Sequence, residues 1–233
     1  MSTDFQILHQ DDAVCAVVKP SGILVHRTPI STDRVFMVDL LRQRIGRRVW
    51  PAHRLDRATS GVLLFALTAD AAAALGRQFE RGTVEKRYLA LVRGWLPDEG
   101  RIDRPLRDGR GAGRDYEALT CFRCLGRIEL PVAVAPHATA RYSLTEVHPE
   151  TGRTHQIRRH FNHIAHPIVG DVNHGDRHHN RLFRMRFGCH RLLLHASCLG
   201  FTHPGSGDPM RIEASLAPEF SAVLDALGLS ATA

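Results

Sequence analysis

Lysine is almost absent from this sequence: Lys19 and Lys86 stand against twenty-nine arginines. Arginine forks onto phosphate oxygens and stacks on bases, where lysine offers only a point charge. The net charge of +7 and the pI of about 9.7 favour a polyanionic partner, nucleic acid before membrane. Cysteine is sparse and odd in number, five residues at irregular spacing, which argues against a disulfide framework. Cys121 and Cys124 form one CxxC with no second pair, and a structural zinc site needs four ligands, so no metal is expected. No apolar run reaches the ~20 residues of a membrane span. No basic segment with an apolar run behind it follows Met1-Ser2-Thr3-Asp4. No internal repeat or low-complexity tract is visible. These absences exclude secreted disulfide scaffolds and membrane proteins, and a soluble cytoplasmic protein is expected. At 43% hydrophobic, the 233 residues can bury a core without crosslinks.

What is present reads as an α+β chain. Residues 14–18 (VCAVV) form a short buried strand that ends in the Lys19-Pro20-Ser21-Gly22 turn. Residues 35–45 carry helical spacing at Val35, Val38, Leu41 and Ile45. The unbroken apolar run 61–67 is a central strand. Thr68 and Gly82 bracket a helix as N-cap and C-cap. Residues 84–93 alternate, with Val84, Lys86, Tyr88, Ala90 and Val92 on one face. The Gly-, Arg- and Asp-rich stretch 98–114 reads as an exposed loop. Further strands are expected at 116–134, 139–147, 191–195 and 209–213. Helices are expected at 154–164, with Ile157, Phe161 and Ile164 in one stripe, and at 217–227.

The most informative segment is His53-Arg54-Leu55-Asp56-Arg57-Ala58-Thr59-Ser60-Gly61. It places an acid between two arginines in a short polar segment that feeds a buried strand. Loops held by rigid strands are where reactive groups commonly lie. Flanking guanidiniums would keep Asp56 ionised, suiting it to act as nucleophile or base. A turn with an Arg–Asp surface pair would have the same composition and do little.

HRLDRATSG followed by an apolar strand resembles the signature of the RluA-type pseudouridine synthases. Further blocks follow in that family's order: Lys19-Pro20-Ser21-Gly22 with His26, the strand Lys86–Gly94 (KRYLALVRG), Gly152–Arg158 (GRTHQIR), His166–Asp171 (HPIVGD) and Leu194-His195-Ala196. The match runs from about Asp11 to about Glu213. The resemblance implies one catalytic domain over residues 1–233, with a core at about 11–213 and a large mixed, mainly antiparallel sheet flanked by helices and loops. An N-terminal RNA-binding domain of the S4 type is not expected.

The resemblance also implies an RNA-modifying isomerase with Asp56 as catalytic carboxylate and no cofactor, because the reaction needs no redox change and no external atom. It implies that Arg158 pairs with Asp56, although an arginine at a helix N-terminus serves phosphate equally well. Tyr88 would stack on the target base, although one aromatic on an apolar face is ordinarily core. Arg54 would fill the gap left by a flipped base, and Ile157 would pack against the uracil. The family often has Pro after HRLDR; Ala58 is expected to soften that loop.

RNA is the expected partner. Contacts are expected from His53, Arg54, Arg57, Arg153 and Arg159, and further from Arg42, Arg44, Arg47, Arg48 and His160. The stretch 174–191 adds five arginines and four histidines interleaved with Phe183, Met185 and Phe187, a mixture suited to irregular RNA. A solvated loop would look the same, and its histidines lack ligand spacing. Several of these words resemble one branch of the family, which modifies a uridine in the T-stem region of tRNA. A ribosomal RNA target, a catalytically silent RNA-binding protein and a histidine-dependent nuclease or phosphatase are the rival readings. A monomer is expected.

Overall fold

The computed structural model describes residues 4–27, 31–107 and 113–230. In chain order the elements are β1 (Ile7–Gln10), β2 (Val14–Lys19), α1 (Met37–Ile45), β3 (Trp50–Pro51), β4 (Ser60–Ala66), α2 (Ala69–Glu80), β5 (Glu85–Arg93), β6 (Glu99–Asp103), β7 (Leu106–Arg107), β8 (Asp115–Tyr116), β9 (Leu119–Leu130), β10 (Ala140–Pro149), α3 (Gln156–His163), α4 (Arg177–Phe187), β11 (Leu194–Thr202), β12 (Pro209–Glu213) and α5 (Pro218–Leu227). The class is α+β, with antiparallel strand pairing throughout the described ladders and one isolated parallel bridge, Leu24 to Phe36. The chain divides into two compact units, Met1–Lys86 with Ala196–Ala217 and Arg87–His195 with Pro218–Ala233.

In the first unit β4 is the central strand. All seven of its residues are buried, as an apolar run without alternation requires. It pairs antiparallel with β2 and neighbours β11, while β1 extends the β2 side and β12 pairs with β11. Ala71 and Leu75 of α2 close one face of this sheet over Val62, Leu64, Leu199 and Phe201. Thr68 caps α2 as expected, its hydroxyl accepting the Ala71 N–H at 3.1 Å. Arg81 is the C-cap, one position earlier than expected, and Gly82 follows it with φ +70°.

In the second unit the strand order is β5-β10-β9-β6, with β6 at the edge. Here the expectation of an exposed loop over 98–114 is corrected, because β6, β7 and β8 occupy much of it; residues 108–112 lie outside the described ones. Only Ile102 and Leu106 are buried in β6 and β7, so these edge strands of mostly charged residues carry almost no periodic signal. The stretch 174–191 also forms a helix, α4, rather than a loop. Asp176 caps it by accepting the His178 and His179 N–H groups, and Gly188 ends it at φ +60°. Tyr142, fully buried on β10, holds α4 to the sheet. Its hydroxyl bonds His179 Nδ1 at 2.7 Å and its ring meets Phe183 edge-on at 4.9 Å. α3 lies on β9 through Phe161 against Phe122.

Candidate active site

The loop that carries Asp56 is anchored from below by a buried lysine. Lys19 has no exposed surface, and its ammonium donates to the carbonyls of Pro20 and Ile23 at 2.7 Å and of Arg57 at 3.2 Å. A buried cation is tolerated only when its hydrogen-bonding capacity is met, and here backbone carbonyls meet it. The same turn holds the loop three more times. Ser21 Oγ donates to the Ala58 carbonyl at 2.7 Å, the Gly22 N–H donates to the Arg57 carbonyl at 2.7 Å, and Arg57 Nε returns a bond to the Gly22 carbonyl at 3.0 Å. The KPSG and HRLDR segments are therefore one structural unit, and the loop expected to be softened by Ala58 is fixed by hydrogen bonds. Asp56 itself is half-buried at the start of a turn closed by the Thr59 N–H on the Asp56 carbonyl at 3.1 Å.

Of the two flanking arginines, Arg54 is exposed, whereas Arg57 reaches Asp33 through Nη2 at 2.8 Å and so braces the loop. His53 turns inward. Its ring stacks on Phe79 at 5.1 Å, and Nε2 accepts the Leu64 backbone N–H at 3.1 Å. An acceptor nitrogen cannot carry a proton. Burial, and secondarily the charge of Lys86, lowers the His53 pKa from 6.5 to about 4. Some of the residue's surface remains open. His53 thus ties the loop to β4.

In the second unit Tyr88 is half-buried on β5, opposite Val147. Ile157 is 7% exposed on α3. Arg158 is buried and forks onto Asp171, with Nε donating to Oδ2 at 2.6 Å and Nη2 to Oδ1 at 2.8 Å. Burial alone would raise the Asp171 pKa, but the Arg158 fork and the backbone N–H groups of His174 and Asn173 bring it below the usual carboxylate range. Asp171 appears in the sequence as the end of HPIVGD, yet nothing there marks it as the partner of Arg158. The only sequence signal is a carboxylate thirteen residues beyond a helical arginine. His155, the N-cap of α3, adopts the left-handed conformation at φ +54° and meets His174 Nε2 through Nδ1 at 3.0 Å.

His160 is corrected as an RNA contact. It has no exposed surface, its Nδ1 pairs with Thr120 Oγ1 at 2.9 Å, and its Nε2 pairs with the Arg104 carbonyl at 3.1 Å. Position 160 is three residues beyond Ile157, on the same buried stripe, which is the signal that outweighs its basic neighbours. Arg44 and Arg47 are partly spent on backbone carbonyls of Phe5, Asp12 and Leu67, and Arg48 stacks on Trp50 at 4.7 Å. Arg153 and Arg159 come together. Arg153 lies over Tyr116 at 5.4 Å and donates to the Glu117 carbonyl, and Arg159 donates to the Arg107 carbonyl at 3.0 Å. They line a pocket of about 300 Å³ with Leu106, Arg107 and Tyr116. Among the described residues no cluster of three or more His, Cys, Asp or Glu side chains could hold a metal ion, and no helix is long and apolar enough to cross a membrane.

Residues 13–163 match the family described as RNA pseudouridylate synthase. The chain is 45% identical over 233 residues to a tRNA pseudouridine synthase C of Vibrio cholerae, covering 96% of each. It is 42% identical over 234 residues to a tRNA pseudouridine synthase C of Haemophilus ducreyi, covering 97% of this chain and 96% of that one. Human RNA Pseudouridylate Synthase Domain Containing 4 shares the fold, with a TM-score of 0.74 at 24% identity over 96% of this chain and 93% of that one. The chain belongs to the RNA pseudouridylate synthase family, in its RluA-type branch. Its chemistry is accordingly the isomerisation of uridine to pseudouridine in RNA.

Proposed function

We propose that this enzyme isomerises a uridine in the T-stem region of transfer RNA, with Asp56 as the catalytic carboxylate. The observation that carries the Asp56 assignment is its loop, fixed to β2 and to the KPSG turn by Lys19, Ser21 and Gly22. A reactive group works only when its surroundings hold its geometry. The tRNA assignment rests on relatives above 40% identity, over nearly the whole chain, that carry that name.

The reaction breaks the N1–C1′ bond, turns the base and forms the C5–C1′ bond. The C5 hydrogen leaves as a proton, and N1 gains one, so atoms and electrons balance without a cofactor. In this reading Asp56 acts as a carboxylate on the sugar or the base, Arg158 orients it, Tyr88 stacks on the base and Ile157 packs against it. Arg54 occupies the space of the extruded base. Arg153 and Arg159 hold the RNA backbone. The protein works as a monomer in the cytoplasm.

The test is release of tritium from tRNA transcripts labelled at uracil C5, in the absence of added metal. Release that disappears in Asp56→Asn, while RNA binding survives, is the expected result. Release from ribosomal RNA alone would remove the tRNA assignment. Release that persists in Asp56→Asn would remove Asp56 as catalyst.

A further inference from the structure

We infer that the pocket under the β7–β8 hairpin is a subsite for one nucleotide of the RNA substrate, with Tyr116 stacking on its base and Arg107, Arg153 and Arg159 holding its phosphate. This rests on the RNA substrate proposed above and assigns a place where a second nucleotide, besides the target uridine, is held.

Three arginines line a volume of about 300 Å³, and no carboxylate lines it among the described residues. That volume is at the low end of small-ligand sites, about 300–1,000 Å³, so it fits one nucleotide rather than a length of strand. The charge specifies an anion, and the forked geometry of arginine suits phosphate oxygens. Leu106 supplies a buried apolar side chain at the pocket, and Tyr116 keeps 39% of its surface open. An exposed aromatic beside clustered arginines is the arrangement that binds unpaired nucleotides, by stacking and charge together.

The cluster is also pre-arranged. Arg159 fixes the hairpin through the Arg107 carbonyl, and Arg153 already lies over the Tyr116 ring at 5.4 Å. Asp115 stands 3.5 Å from Arg107 Nε, and both side chains are mostly exposed. The pair is therefore weak, and a phosphate can take the place of Asp115 without much cost. Arg153 Nε and Arg159 Nη1 are engaged on carbonyls, so the phosphate is met by the remaining nitrogens of each guanidinium.

The experiment compares Arg107→Gln, Tyr116→Ala, Tyr116→Phe and the double variant Arg107→Gln/Tyr116→Ala with the unaltered enzyme. Tritium release from a tRNA transcript gives kcat and KM, and anisotropy of a fluorescein-labelled transcript across a salt series gives Kd and its salt slope. Tyr116→Ala should raise KM and Kd about tenfold with kcat unchanged within about twofold, and Tyr116→Phe should restore both. Arg107→Gln should reduce the slope of log Kd against log salt by about 1. Since both side chains are at the surface, melting temperatures should stay close to that of the unaltered protein. Unchanged Kd and salt slope in the double variant would overturn the subsite, whatever the enzyme's target. If the unaltered enzyme released no tritium from any RNA, the proposed reaction would fall, and the subsite would still be judged by Kd.

Discussion

Arg158 and Asp171 form a closed two-bond fork at 2.6 and 2.8 Å, with 5% and 1% of their side-chain surfaces exposed. Asp171 also accepts the N–H groups of Asn173 and His174, so the turn after HPIVGD is built around this carboxylate. Gly175 continues it at close quarters: a Cβ there would sit 2.1 Å from the Asp171 carbonyl.

Replacing Asp171 separates its two roles. Asp171→Ala removes both bonds of the fork from a buried guanidinium and should cost about 3–5 kcal/mol, read as a lower urea midpoint. Asp171→Asn keeps the acceptor for the turn but presents an amide N–H₂ to Arg158. We expect it to fold with a smaller loss, while kcat for tritium release falls about 10–100-fold and KM stays within a few-fold, as for an interaction that orients a catalytic partner. A kcat near that of the unaltered enzyme in Asp171→Asn would make the fork structural only.

His53 sets a pH limit on stability. Its folded pKa of about 4 lies below its ordinary 6.5. Between those values the unfolded chain binds a proton that the folded chain refuses, so stability falls as the pH drops from about 6.5 to about 4. The contribution is on the order of 2 kcal/mol, allowing for the part of the residue that stays open to water. Burial pushes His160, His174 and His179 in the same direction. Urea midpoints at pH 7.5, 5.5 and 4.5 should decline, and His53→Gln should decline less steeply. Parallel curves for the two proteins would show that His53 is charged in the fold.

Gly61 tests the close approach of β4 and β11 beside the loop that carries Asp56. It has φ +114°, and a Cβ there would lie 2.1 Å from the Ala196 carbonyl oxygen. Neither strain nor overlap can relax without parting the strands. Gly61→Ala should therefore be destabilised by several kcal/mol or fail to fold, well beyond the ~1 kcal/mol expected for Gly46→Ala. Gly46 has φ +68° with nothing within 4 Å of its Cβ position. Thermal melts followed by circular dichroism would show a similar loss in both if the clash were unimportant.

The sequence displayed what repeats with a period. β2, β4, α2, α3 and β12 were legible because apolar residues recur, or run unbroken, between clear turn and cap residues. The edge strands β6 and β7 were hidden by arginine and aspartate, since an edge needs only one buried residue per turn of the pleat. α4 was hidden because its buried side chains are one phenylalanine, a histidine and an asparagine, and much of the rest is basic. Motifs named the candidate residues Asp56, Tyr88 and Arg158, but the long-range partners of the motif residues were invisible. Lys19 with the Arg57 carbonyl, His53 with Leu64, and Arg158 with Asp171 are pairings that only the folded chain creates.

Lys19 gives the sharpest test of how that loop is held. Its ammonium serves three carbonyls, one of them on the residue after Asp56. Lys19→Met keeps the length and the apolar stem but takes the ammonium away from those carbonyls, of which that of Arg57 keeps the Gly22 N–H, at a cost of about 1–3 kcal/mol in stability. Lys19→Arg is too wide for a fully buried position and should be worse for folding than its preserved charge suggests. Because the Arg57 carbonyl lies next to Asp56 in the chain, a small shift there moves the carboxylate, and a misplacement of about 1 Å can cost about 100-fold in rate. Lys19→Met should therefore lose far more in kcat, measured well below its melting temperature, than its stability loss accounts for. If instead kcat holds and only the melting temperature falls, Lys19 supports the β2–β4 pairing and the loop keeps its geometry through Ser21 and Gly22 alone.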